Sequence, residues 1–168
     1  MKMQTRSFLR GLAATVPLAL AFLLAILTQI PVGSATAGIP APNWTLMLVF
    51  YFSIHRPTLV PPIAVALVGL FQDFLWGGPP GLNLLILLIT QMVLSNQQAL
   101  FVRRPFLVGW LGFVTVAAIA MALSWLAGSL YYGEILGLRP LAVQTALSVV
   151  AYPVAGWVFG RIDGMLGR

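Results

Sequence analysis

Phe106 to Tyr132 reads FLVGWLGFVTVAAIAMALSWLAGSLYY, and no residue in it is charged. At about 1.5 Å per residue this run extends roughly 40 Å as a helix, more than a hydrocarbon core of about 30 Å requires. It therefore predicts a membrane-crossing helix that must tilt or bend to fit. The rest of the 168-residue chain agrees, with nine Lys or Arg, three Asp or Glu, and 60% apolar residues. So few polar groups cannot clothe a water-soluble core of this size, and a soluble fold is excluded. The expected class is all-α, a polytopic membrane protein.

Working outward from Phe106, Arg103-Arg104-Pro105 ends a fourth span, Leu82 to Leu100. Gly77-Gly78-Pro79-Pro80-Gly81 cannot stay helical and joins it to a third, Leu59 to Trp76. The second, Asn43 to Ile54, extends only about 18 Å. A re-entrant segment is the alternative, but it would move His55/Arg56 and Arg103/Arg104 to the outer side, so a short span that thins the membrane is expected. The first, Gly11 to Ile30, contains Pro17, which should kink it. Lys2, Arg6 and Arg10 before it, with Ala35-Thr36-Ala37 after it, imitate a signal peptide. Its apolar part exceeds the usual length of about 7 to 15 residues, so it is expected to be retained. After Gly133 to Arg139 a sixth span runs from Pro140 to Gly160, with Pro153 inside it. Six spans occupy the sequence as one integral domain, 1–168, with no room for a soluble one.

The cations test this map. Residues 2, 6, 10, 56, 103, 104, 161 and 168 fall on one side and Arg139 alone on the other, which predicts both termini in the cytoplasm. Arg56, Arg103 and Arg104 are the internal anchors of that topology. Trp44, Trp76, Tyr131 and Tyr132 sit at the expected outer ends, Trp110 and Trp157 towards the inner boundary, as interfacial belts do. Basic residues spread singly or in pairs between apolar runs describe topology and not a nucleic-acid surface.

Asp73 is the one acid inside a span, about a turn below its outer end. An ionisable group there should face protein or a wet cavity, with Asn83, Gln72 and, more remotely, Arg139 as partners. Gly69, Asp73 and Gly77 share a helical stripe, with Gly81 a further four residues on, so close packing of backbones is expected along it. Ala21/Ala25, Ser124/Gly128 and Gly156/Gly160 repeat the small-residue spacing, for which packing inside the bundle is the plainer explanation. Gln91 lies deep enough to bond another helix, and His55 beside Arg56 is an interfacial histidine. No second His, Cys or acid accompanies His55, so no metal site is expected. A two-aspartate protease would need Asp73 beside Asp163, which the topology places at opposite faces. No serine-hydrolase, P-loop or dinucleotide motif is present, and neither enzyme activity nor a cofactor is expected.

Pro42-Asn43-Trp44, Gly69-x-x-x-Asp73 leading to Gly77-x-x-x-Gly81-Leu82-Asn83, Gln98-Ala99-Leu100-Phe101 before a basic pair, and Arg139-Pro140 followed by Tyr152-Pro153 together resemble the bacterial rod shape-determining MreD family. Size, charge and the six-span plan fit along nearly the whole chain. The resemblance implies a non-enzymatic inner-membrane scaffold of cell elongation and lateral peptidoglycan synthesis. Its implied partners are an MreC-type bitopic protein, MreB-type filaments and the lateral-wall synthases, alongside membrane lipids. It also implies a fold like that of the solute-binding subunits of energy-coupling vitamin transporters, an analogy that does not carry function. In a scaffold, Gly69, Gln72, Asp73, Gly77, Gly81 and Asn83 would shape an outer-leaflet contact surface, and Arg103/Arg104 would meet cytoplasmic components or anionic lipid. The alternative is a transport subunit, with Asp73, Asn83, Glu134 and Arg139 around an outward pocket and Ala21/Ala25 as its docking stripe.

Overall fold

The computed structural model describes residues 19–27, 40–101 and 104–166, and every regular element among them is helical. Pro17, the residue 35–37 pattern, Arg103, Arg168 and the basic residues ahead of the first span lie outside the described residues. The helices are α1 (19–27), α2 (Trp44–His55), α3 (Pro62–Trp76), α4 (Leu82–Asn96), α5 (Gln98–Phe101), α6 (Phe106–Tyr132) and α7 (Leu138–Leu166).

Local chemistry sets these boundaries. Asn43 is the N-cap of α2, its Oδ1 accepting from Leu46 N at 3.0 Å. The expected third span loses its first turn, because Pro57–Leu59 forms a 3-10 turn and Pro61-Pro62 restarts the helix with proline at its tolerated first position. The expected fourth span breaks at Gln97, where the polar run Ser95-Asn96-Gln97 ends α4 before the single turn of α5. The fifth keeps its expected bounds, ended by Gly133 at φ 69°. The sixth is longer than expected, starting at Leu138 and continuing through Pro153 to Leu166.

The second element keeps its expected bounds to within one residue, and its surroundings are protein. α2 is too short to match a bilayer, but it has no need to match one, since nine of its 12 residues are buried. It runs through the middle of the bundle, with α3 and α4 paired on one side and α6 and α7 on the other. A helix apolar on every face is stable when protein surrounds it, so the short length here reflects a sheathed core element. Phe50 joins the layers, meeting Phe101 of α5, Phe113 of α6 and Tyr152 of α7 edge-on, while Phe113 and Tyr152 stack at 4.3 Å. α1 closes another side, with Ala21 and Ala25 buried and Phe22 against Phe71 of α3.

The exterior is apolar as well. Ile63, Phe74, Leu130, Val150 and Met165 are all at least two-thirds exposed. α6 and α7 are long and apolar enough to cross a membrane, and most of their surface is left uncovered, unlike the core helices of a soluble protein. An all-helical bundle with so apolar an outside is consistent with a membrane protein.

Candidate functional site

Asp73 projects from the last turn of α3 towards the start of α4 and is 7% exposed. The N-cap of α4 is Gly81, which has no side chain to cap the free amides of the first turn. Asp73 supplies the missing cap from the neighbouring helix. Its Oδ1 accepts from Asn83 N at 2.8 Å and its Oδ2 from Leu84 N at 3.3 Å, the second and third residues of α4. These are the two amides an ordinary N-cap side chain would serve. The positive end of the α4 dipole adds to the attraction for the carboxylate.

Gly69 lies one turn earlier on the same stripe, and here the expected close packing is real. A Cβ at Gly69 would stand 2.4 Å from Leu84 Cα and 2.8 Å from Leu84 N. Gly77 and Gly81 behave differently, since nothing lies within 4 Å of the position a Cβ would take at either. Their requirement is conformational: φ is 62° at Gly77 and 85° at Gly81, left-handed values that L side chains rarely adopt. The stripe of close packing thus ends at Asp73, and the two later glycines turn the chain so that Asp73 can meet α4.

Of the partners expected for Asp73, Asn83 is correct through its backbone N–H and not its amide side chain. Gln72 points elsewhere, its Nε2 donating to the buried Thr45 Oγ1 of α2 at 3.0 Å. Arg139 makes no ion pair with Asp73; the ion pair among the described residues joins Arg56 Nε to Asp163 Oδ1 at 3.0 Å, close in distance but not aligned as a hydrogen bond. Gln91 bonds not another helix but the connection ahead of α3, its Nε2 donating to Val60 O at 3.3 Å. His55 stacks on Tyr51 with ring centres 4.1 Å apart at the far end of α2. Ala21 and Ala25 pack inward, which leaves no outward small-residue stripe on α1 for docking.

Next to the Asp73 cap is a cavity of about 430 Å³ between the start of α2, the α3–α4 turn and the adjoining ends of α6 and α7. Asn43, Gln72, Asp73, Asn83, Ser124, Tyr132 and Gln144 supply its polar groups. Glu134 and Arg139 are exposed and do not line it. Gln144 was not singled out by the sequence, and neither was Ser148 below the cavity. Ser148 Oγ accepts from Asn43 N at 2.8 Å and donates to Gln144 O at 2.7 Å, while Gln144 Nε2 donates to Ala41 O at 3.2 Å. Their four-residue spacing in an apolar helix was the available signal. Among the described residues no three His, Cys, Asp or Glu side chains gather as metal ligands.

Fold and site together define an all-helical protein of membrane character, whose polar groups fasten helix ends to one another and border a cavity at one end of the bundle. The family described as rod shape-determining protein MreD matches residues 5–132. The chain belongs to the MreD family, whose members act in shape determination and are not a known class of enzymes. No curated protein and no solved structure matches it.

Proposed function

We propose that the chain is a non-enzymatic scaffold of the bacterial inner membrane that takes part in cell elongation and lateral peptidoglycan synthesis. It crosses the membrane six times as one integral domain with both ends in the cytoplasm, anchored there by Arg56, Arg103 and Arg104. It holds an MreC-type single-pass protein, and through the assembly serves MreB-type filaments and wall synthases. The observation that carries this is the outer face of α3, where Ile63, Leu67, Leu70 and Phe74 form an exposed apolar stripe at helical spacing. Asp73 and Gly69 lock that face to α4 from behind. A rigid apolar helix face is a surface along which a single transmembrane helix can lie.

A second function has one observation in its favour. The 430 Å³ cavity falls within the usual range of ligand sites, about 300 to 1,000 Å³, and has convergent polar groups, as a solute-binding transport subunit would need. Depletion in the native cell separates the two. Rounding of rods with vitamin uptake intact supports the scaffold, and Asp73→Leu should then fail to restore rods although it inserts in the membrane. Rods that persist while one uptake activity is lost would overturn it in favour of transport. Reporter fusions at Met1 and Arg168 that report opposite sides would overturn the topology.

A further inference from the structure

At the other end of the bundle lies a second cavity, of about 500 Å³, between the end of α2, the start of α6 and the later turns of α7. Its walls are apolar, including Phe106, Pro153 and Trp157. Gly109 forms part of the trough, and nothing lies within 4 Å of where its Cβ would stand. Gly156 opposite meets only ordinary contacts. The space is therefore open along two helices of the kind that cross a bilayer, and is not filled by neighbouring side chains.

The rim is basic. Arg104 and His55 border the cavity, and Arg161 is held beside it by its guanidinium 4.9 Å from the Trp157 ring centre. Among the described residues Arg104 makes no ion pair, and the one acidic side chain at this end, Asp163, is engaged with Arg56. His55 gives Nδ1–H to Tyr51 O at 3.0 Å, which leaves Nε2 of the neutral ring an acceptor, so the donor for an anion at this rim is Arg104. An apolar trough under an uncompensated cation has the complementarity of an anionic amphiphile.

We propose that this cavity holds one anionic phospholipid from the surrounding membrane, its acyl chain along Gly109 and its phosphate at Arg104. Arginine suits the role because its planar fork can meet two phosphate oxygens together. The site rests on the helices crossing a bilayer, as in the proposed function, but not on the identity of any protein partner.

The test is native mass spectrometry of the full chain, titrated with phosphatidylglycerol or phosphatidylcholine. One phosphatidylglycerol should be retained, phosphatidylcholine should not, and inorganic phosphate should not compete, which separates a lipid from a free anion. Arg104→Gln should weaken retention at least fivefold, the effect of one charge at a headgroup. Gly109→Leu should abolish it by filling the trough, with an unchanged melting temperature showing that the bundle is intact. If Gly109→Leu melts early, Arg104→Gln alone decides. Equal retention of both lipids, or undiminished phosphatidylglycerol on Arg104→Gln, would overturn the proposal. Failure of the wild-type chain to float with liposomes would instead overturn the membrane assignment beneath it.

Discussion

Among the described glycines, Gly69 is the one whose replacement with alanine should damage the bundle most. The new Cβ would stand 2.4 Å from Leu84 Cα, 2.8 Å from Leu84 N and 3.2 Å from Asn83 C, all backbone atoms that cannot rotate away. Carbon contacts are comfortable at about 3.5–4.0 Å, so the first turn of α4 must retreat by about 1 Å or more. That retreat lengthens both bonds to Asp73, now 2.8 and 3.3 Å, beyond hydrogen-bond range. Overpacking costs about 1–3 kcal/mol and a lost cap up to about 2, offset by about 0.5–1 gained on replacing a helical glycine. The extremes combine to about 0–4.5 kcal/mol, with a centre of about 2. Thermal unfolding in detergent, followed by tryptophan fluorescence, measures it against Gly109→Ala, which enters open space and should be neutral or slightly stabilising. Equal melting of Gly69→Ala and Gly109→Ala would refute the close approach of α3 and α4.

Asp73→Asn keeps one acceptor and should cost less than Asp73→Leu, which leaves two amides uncapped at about 1–3 kcal/mol; equal melting of the two variants would contradict the cap. At Gly77 the left-handed backbone should make Gly77→Val cost about 1–2 kcal/mol and Gly77→Asn less, and a valine variant as stable as wild type would count against a conformational role. Gln72→Leu and Thr45→Val should each destabilise, and the double variant should fall short of their sum by about 0.6–1.7 kcal/mol; strict additivity in that cycle would mean that the bond between them contributes nothing.

Much of this was legible in the residues. Phe106 to Tyr132 announced its own length because Pro105 and Gly133 mark its ends and no charge interrupts it. Asp73 stood out as an acid in an apolar run, and its link to position 83 followed from a turn too short to separate them. Hydropathy alone could not say that α2 is sheathed by protein, because an apolar helix looks the same beside lipid and beside leucine. Glycine is ambiguous in a similar way. Gly69 and Gly77 share one stripe, yet one is required by a neighbouring backbone and the other by φ, a difference that needs coordinates. The ends of α3 and α4 shifted because Pro61-Pro62 and Ser95-Asn96-Gln97 act on the hydrogen-bond ladder, to which counts of apolar residues are blind. Gln144 and Ser148 were passed over because single polar residues in apolar helices seldom reveal which helix they will meet.

The enclosed position of α2 also bears on how the molecule is made. This segment emerges from the ribosome early, but α4 and α7, which cover it, are synthesised later, and the contacts of Phe50 with Tyr152 and of Asn43 with Ser148 wait for nearly the whole chain. Until then a helix about 18 Å long has neither the reach to settle in the bilayer alone nor its final neighbours. A nascent chain stopped before residue 138 would lack α7 and leave that face of α2 uncovered, so this surface closes only once α7 has been made.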